Sequence, residues 1–523
     1  MSEALLWGGI LRFTQAFLQA SPTILIGLIV AGVMRHLFGR DGTRRLFGGD
    51  SRRSLLQAWL IGMLLPVCSL GVIPVIRELR RAGLSGGTIL AFALSAPLFN
   101  PLSLLYGLTL SEPVAILSFA LCSLVVVTGV GLIWDRLFPL TATESEPLKP
   151  APPGIRRMLA IPTVAARETA GPVLFYTIGG LAGVVLLSSI LPIGSLQSAA
   201  EHDDPWAPLF MSGVAIPAYA TPMLAMSQLG AMFAHGNSTG AAFALLALGA
   251  GMNLGLLAWM FRTYGFRRSF AWMLLLEAVV VLLSYGVENP LYPSEIEPAG
   301  HTHAFDIYCA PFSPQHTHPR QLAIAKLSRD LQFYEQWSAI GLGILLLCGV
   351  ILKLADSRGR VESWLTTDPL ERSQSDQLAW HQRPVSGPVL GTALLSGLVA
   401  FSVVGCYAFY PDKNEVFEEM YIAKGEALSA AMSGDHSHAV YWIERFDDWT
   451  RKLQVGVYIR EFGLSDYHRM KARILRDKLE LLEHDVEDGH TDEVRQRVVD
   501  IQTTYSRLRT AYLDEDDGNG RTG

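Results

Sequence analysis

Residues 64–105 read LLPVCSLGVIPVIRELRRAGLSGGTILAFALSAPLFNPLSLL. The stretch is apolar enough to enter a hydrocarbon core about 30 Å thick. Yet it holds Pro66, Pro74, Pro97 and Pro101. Proline removes an amide donor and clashes with the preceding turn. In lipid, the carbonyls so freed must find partners in protein or in a water-filled cavity. Helices broken at these prolines are therefore expected, joined by a glycine-rich turn at 83–87. Interrupted spans near the midplane are a sequence mark of a transporter's binding site.

Outward from this stretch, about ten apolar segments are long enough to cross a bilayer. They lie near 20–38, 54–76, 86–110, 113–134, 169–192, 207–233, 239–261, 268–287, 335–355 and 388–410. The sixth is broken by Pro217 and Pro222. Residues 1–18 read as a separate interfacial amphipathic helix, with Leu5, Leu6, Ile10, Phe13 and Phe17 on one face. The fold class is all-α: a polytopic membrane protein of about 10 transmembrane helices, with two internal repeats and a C-terminal soluble helical domain. Composition agrees, since half of the 523 residues are hydrophobic and 17% are charged, against about 25% in globular domains. Residues 412–523 carry 40 of the 90 charged side chains, so the body is apolar and the tail polar. A soluble enzyme, a disordered protein and a nucleic-acid binder fit poorly. The net charge of −6 points to no polyanionic partner. The partners implied are the lipid bilayer and a small-molecule solute.

Pro66, Thr88 and Phe92 recur at one offset as Pro217, Thr239 and Phe243, and two inserted residues bring Asn100 level with Asn253. The domains expected are a permease domain over 1–287, with repeats at about 19–134 and 169–287; a loop with two extra helices over 288–411; and a helical domain over 412–523. In the tail, Gly489 and the acidic first turn after Thr491 predict an antiparallel pair at 466–487 and 491–512. Arginines 35, 40, 44, 45, 52 and 53 argue for a cytoplasmic loop after the first span and an outside N-terminus. With ten crossings, Arg77, Arg80, Arg81, Arg156, Arg157 and Arg167 would fall on the opposite side.

The run Pro66-Val67-Cys68-Ser69-Leu70-Gly71-Val72-Ile73-Pro74, the turn at 83–87 and Asn100-Pro101 resemble a bacterial predicted-permease family. Its characterised members, the ArsP-like and YraQ-like permeases, export trivalent organoarsenicals. The resemblance covers about residues 1–287 and implies export of a small soft solute from the inner membrane. The family's signature has a second cysteine where this chain has Leu70. A trivalent arsenical with one organic group offers two soft positions, which suit two thiolates, and Cys68 supplies one. A permease for another small inorganic or sulfur-containing solute is the alternative.

The candidate substrate-binding residues are Cys68, Ser69, Asn100, Asn253 and Tyr219, with Thr88, Ser95, Thr221 and Gln228 as further polar lining. A buried cysteine is more often an inert hydrophobe, and an intramembrane asparagine often bridges helices. Glu277 stands mid-span in AWMLLLEAVVVLLSY, a candidate for proton coupling, against the plainer role of pairing with a neighbouring helix. His301, His303, Cys309, His316, His318, His436 and His438 are candidate metal ligands, although loop histidines are usually only solvated. They support a third alternative, a membrane-anchored metal-binding or sensing protein acting through its tail. The pattern Gly83-x-Ser85-x-Gly87 has no strand before it, and no Walker A or H-E-x-x-H motif is present. No enzymatic activity and no cofactor are expected, and transport would be secondary.

Overall fold

The computed structural model describes the chain except residues 1, 50, 52, 140–154, 193, 198–199, 294–302, 313–317, 357–358, 367–386 and 514–523. Among the described residues it is helical, with one isolated β-bridge between Glu201 and Asn237. Contacts divide the chain into two units, 1–107 with 111–402, and 403–523 with 108–110.

The first unit opens with α1 (Ser2–Val33), which continues through a π-helical turn at Met34–Phe38 into α2 (Gly39–Leu46). The separate interfacial helix expected over 1–18 is thus not present. Those residues are the first turns of the first span. Their polar face, Arg12 and Gln15, is buried against the later loop, where Arg12 donates to the carbonyls of Cys309 and Asp306, and Gln15 donates to Asp330. Next come α3 (Arg53–Leu64), α4 (Val72–Arg81), α5 (Gly86–Ser95), α6 (Pro101–Leu110), α7 (Pro113–Leu137), α8 (Ile155–Thr169) and α9 (Pro172–Ile190). Then follow α10 (Ala207–Ala218), α11 (Pro222–Ala234), α12 (Thr239–Ala244) with a π-helical extension at Leu245–Ala250, α13 (Leu254–Tyr264) and α14 (Phe266–Glu288). A short 3₁₀ turn at His303–Tyr308 leads to α15 (Pro319–Asp330), α16 (Phe333–Ala355), α17 (Arg360–Thr366) and α18 (Gly387–Phe409). Among the described residues, five helical stretches are long and apolar enough to cross a membrane unbroken, and α12 with α13 makes a sixth, bent by 58°. Of the remaining apolar segments, α3–α4, α5–α6 and α10–α11 are pairs of shorter helices, interrupted at prolines, and α18 is a single helix. Apolar side chains such as Leu121 and Val125 on α7, and Leu347 and Leu354 on α16, are exposed, as a lipid-facing surface requires.

Ion pairs show which ends lie together. Arg35, after α1, bonds Glu78 at the end of α4 and lies 3.4 Å from Glu168 at the end of α8. Arg77 and Arg81 reach the same Glu168 at 3.0 and 3.1 Å, and Arg167 pairs with Asp356 after α16 at 3.0 Å. The α3–α4 pair therefore leaves and returns to one arginine-rich end. The α10–α11 pair does the same at the opposite end, where Ser238 N–H bonds Ala200 O (2.8 Å) and Gln228 holds Ala304 O and Tyr308 of the loop. Arginines that a simple count of crossings sets on opposite sides thus share one end, since a hairpin consumes apolar residues without changing sides. α1 runs toward the arginine-rich end. α9 runs away from it, from Glu168 to Leu191, whose carbonyl accepts from Ala310 of the loop at 2.9 Å.

Matching features recur 153 residues apart. Ser85 caps α5 by accepting from Thr88 N–H, and Ser238 caps α12 by accepting from Ala241 N–H. Asp135 at the end of α7 accepts from Gly87 N–H (2.7 Å) and Ser85 Oγ (2.8 Å). Glu288 at the end of α14 accepts from Gly240 N–H (2.5 Å) and Ser238 Oγ (2.7 Å). Asn100 and Asn253 cap α6 and α13 in the same way. On this register Thr88 answers to Ala241, not Thr239. The 151-residue offset matched similar Ala- and Phe-rich helices two residues out of step, whereas the cap hydrogen bonds fix the register.

In the second unit, α19 (Lys413–Ser433), α20 (His436–Glu461), α21 (Asp466–Glu487) and α22 (Thr491–Leu513) pack in sequence order, with α22 back on α19. Their short connections make neighbours antiparallel. Met420, Phe446, Leu453, Leu475, Leu479, Ile501 and Leu508 fill the core. Asp412, Asp435 and Ser465 cap the first three helices. Gly434 and Gly489, with φ of 77° and 74°, stop α19 and follow α21, a left-handed geometry that glycine adopts without strain.

Candidate functional site

Four helix breaks meet inside the first unit, at 65–71, 96–100, 219–221 and 251–253. The Tyr219 hydroxyl lies within hydrogen-bonding reach of Cys68, joining the two hairpin tips. Leu70 Cδ2 and Asn253 Oδ1 flank one point on α9, 2.5 and 2.8 Å from where a Cβ on Gly180 would stand. Leu98 Cδ2 is 3.3 Å from the same position on Gly251, and Ala220 N–H bonds Gly249 O at 2.9 Å. Glycines permit this closeness. A Cβ on Gly27 would fall on the Gly71 carbonyl, one on Gly71 on that of Thr23, and one on Gly183 on that of Pro217. Small residues let helix backbones approach within a membrane.

All five expected binding residues lie at these breaks. Cys68 is fully buried, and its Sγ accepts from Gly71 N–H at 3.3 Å. Asn100 closes a capping box, with Oδ1 accepting from Ser103 N–H (2.8 Å) and its own N–H donating to Ser103 Oγ (3.1 Å). Asn253 Oδ1 accepts from Leu256 N–H at 2.8 Å, which turns its amide nitrogen away from α13. Tyr219 takes φ of 40°, uncommon for a bulky residue, and this directs its ring to Cys68. Three buried polar atoms at the breaks, Ser69 Oγ, Tyr219 OH and Asn253 Nδ2, have no well-formed hydrogen bond. Such groups are costly to bury and are usually paired. No Asp, Glu, Lys or Arg occurs in the four break segments.

The further lining candidates have structural partners. Thr88 Oγ1 bonds Ser54 and Ser85, each at 2.8 Å. Ser95 Oγ donates to the Ala58 carbonyl at 3.4 Å. Thr221 caps α11, and Gln228 is held by the loop. Glu277 stands away from the breaks, half-buried on α14 and hydrogen-bonded to Ser212 of α10. Asp135 and Glu288 are not among the residues that the sequence singles out. The signal that identifies them is their equal spacing from Ser85 and Ser238.

The metal candidates are not brought together. His301 and His316 lie outside the described residues, as does the side chain of His303. Cys309 is buried against the start of α1, where burial pushes its thiol up and hydrogen bonding from Ser195 opposes this. His318 sits at φ 67° before α15. In the tail, His436 Nδ1 faces the Val486 carbonyl, while His438 bonds Glu426 (3.2 Å) and Trp442 (3.1 Å). Among the described residues no three of His, Cys, Asp and Glu converge to hold a metal. All five cysteines are unpaired, and Cys122, Cys309, Cys348 and Cys406 lie outside the four breaks.

Comparison with known proteins agrees with this architecture. Over 92 residues the chain is 33% identical to the UPF0718 protein YcgR of Bacillus subtilis strain 168, a stretch that is 18% of this chain. The match spans 31% of that relative's length. No solved structure matches. Residues 7–288, more than half of the chain, match the family model ArsP_1, described as a predicted permease. With its long apolar helices and broken spans, the chain belongs to this predicted-permease family and is a multi-pass membrane protein.

Proposed function

We propose that this permease is a secondary-active exporter of a small soft solute, such as a trivalent organoarsenical, in the inner membrane. The observation that carries the reading is the meeting of two hairpin tips from opposite ends at Cys68 and Tyr219, among the breaks of α5–α6 and α12–α13. Broken helices at the meeting of two oppositely directed repeats are where secondary transporters bind their cargo. On this reading residues 1–287 form the permease domain, 288–411 add two helices and a packed loop, and 412–523 are a separate helical domain. The arginine-rich end faces the cytoplasm under the positive-inside rule. Cys68, Ser69, Asn100, Asn253 and Tyr219 line the path, and Glu277 carries the coupling proton, its half-buried carboxyl bonded to Ser212 at membrane depth. The chain does its work by transport, with no bond made or broken in the solute.

The test is accumulation of methylarsenite by everted membrane vesicles under an imposed proton gradient. Accumulation in the wild type, lost in Cys68→Ser and uncoupled from the gradient in Glu277→Gln, is the expected result. No accumulation above empty vesicles removes the arsenical.

One observation favours a second cargo. Cys68 has no second thiol among the four breaks, so a mono-organic arsenical would find half of its soft coordination there. A small inorganic or sulfur-containing solute needing one soft contact fits that arrangement better.

A further inference from the structure

We propose that the crossing of the four breaks binds a small oxyanion with a soft, polarisable centre, which selects the inorganic or sulfur-containing cargo named above over the arsenical. The inference rests on the crossing being the translocation site and goes on to name the charge of the cargo.

The argument begins with the unsatisfied atoms. Asn253 Oδ1 is committed to the Leu256 N–H. The cap requires the oxygen there, which fixes the amide orientation and leaves Nδ2 as a donor with no acceptor. An amide nitrogen can only donate. The Tyr219 and Ser69 hydroxyls are likewise buried without a well-formed bond and can donate as well as accept. A ligand that satisfies Asn253 Nδ2 must therefore present an acceptor, and one with several acceptors also suits the two hydroxyls.

The second line is the direction of the helices. α4, α6, α11 and α13 all begin at the crossing, at Val72, Pro101, Pro222 and Leu254. A helix N-terminus carries about half a positive charge and is a ready site for anions. α3, α5, α10 and the π-helical extension of α12 end there. The last carbonyls of three of these four are closed by local turns, through Leu65 N–H to Gly62 O, Ala96 N–H to Phe92 O and Met252 N–H to Leu248 O. No carboxylate in the break segments opposes an anion, and no Lys or Arg neutralises it so strongly that release would stall. Binding through oriented dipoles and neutral donors suits a site that must also let go. Cys68, within reach of Tyr219, adds a polarisable sulfur with a weak S–H donor, a surface better matched to a polarisable sulfur oxyanion than to a strongly hydrated phosphate.

The experiment is exchange in proteoliposomes of the full chain, using radiolabelled thiosulfate and sulfite as anion probes and methylarsenite as the neutral probe. The decisive variant is Asn253→Asp. Aspartate caps a helix as well as asparagine, and it replaces the amide donor by a carboxyl whose charge is buried without a cation. A like charge in contact costs several kcal/mol, which predicts a loss of anion exchange of about 100-fold or more, beside a lowered thermal midpoint. Tyr219→Phe, which removes one donor and no packing, is expected to reduce anion exchange by about tenfold.

Exchange of either anion by the wild type, abolished in Asn253→Asp, supports the proposal. Methylarsenite exchange without anion exchange overturns it and leaves the crossing as a transport site for a neutral solute. Anion exchange that survives Asn253→Asp also overturns it, because the anion then passes elsewhere. Exchange of neither probe class overturns it as well. In that case, methylarsenite accumulation in vesicles that Cys68→Ser abolishes would show that the transport reading survives the failure of the anion.

Discussion

Gly27 and Gly71 show how little room separates the helices around the crossing. The two backbones face each other, and a side chain on either meets a carbonyl oxygen of the other segment. Gly27→Val should lower the stability of the purified protein by about 1–3 kcal/mol or more, as overpacking does. Gly129→Ala on α7, where nothing stands within 4 Å, should leave it unchanged or raise it by about 0.5–1 kcal/mol. Thermal unfolding in one detergent compares the two. Tyr219 offers the converse test. Its hydroxyl has no well-formed hydrogen bond, so Tyr219→Phe should keep or raise the thermal midpoint while slowing transport. A midpoint that falls with transport would mean a structural role. The place of Cys68, Asn100 and Asn253 at helix breaks was legible in the sequence, because prolines and a repeat mark those positions. Tyr219 is among the residues the sequence singles out, but its approach to Cys68 was not legible. Its placement depends on a backbone φ of 40°, which no neighbouring residue type announces. Among the described residues no metal cluster forms, and spacing within a loop does not say where packing turns an imidazole.

At the scale of elements, the paired carboxylate caps organise each repeat. Asp135 and Glu288 each fasten the N-terminus of the broken helix before them, through one backbone N–H and one cap serine. Removing such an acceptor leaves a buried N–H unpaired, at a cost of about 1–3 kcal/mol. Asp135→Ala and Glu288→Ala should each destabilise by that amount. Ser85→Ala should be strongly non-additive with Asp135→Ala, with a coupling of at least about 0.5 kcal/mol in a double-mutant cycle. Additive effects would mean that the cap is not a unit. The prolines made the breaks legible, but not whether a broken segment crosses or returns. Hydropathy is the same for both, and only the pairing of Arg35 with Glu78 shows that α4 comes back. Residues 1–18 misled for the opposite reason. Their buried polar face is satisfied by a loop almost 300 residues away, and no local pattern reveals that.

At the scale of the whole molecule, the second unit has its own core, and ion pairs tie its helices to one another. Asp447 accepts from Arg451 at 2.6 Å and Arg476 at 2.9 Å, tying α20 to α21. Burial pushes the Asp447 carboxyl up, but the two arginines outweigh it and hold the group below the usual carboxylate range. A carboxyl depressed on folding adds stability above its unfolded pKa, about 3.9, and loses it as pH falls through the folded value. Asp447→Asn should therefore speed hydrogen exchange in α20 and α21 at neutral pH, by about 1.5–3 kcal/mol of lost protection. The difference from wild type should shrink as pH falls below about 4 and vanish only below the lower, folded value. Deleting 412–523 should leave solute flux through the permease domain intact. Loss of flux in a stably inserted truncation would favour the tail as the working part. The tail's helices were legible from Gly489 and Thr491, because caps and stops are local.

The central claim is that Cys68 stands on the path of the solute, between the two ends of the molecule. The most direct measurement is the reactivity of Cys68 in a chain whose other four cysteines are replaced by serine or alanine. Small charged methanethiosulfonates would be applied from each side of sealed vesicles, with and without turnover. Cys68 is fully buried in this conformation, so the account predicts slow modification at rest. During transport it predicts faster modification from both sides, with loss of flux. A thiol that stays unreactive from both sides through active transport, yet reacts once the protein is unfolded, would contradict it.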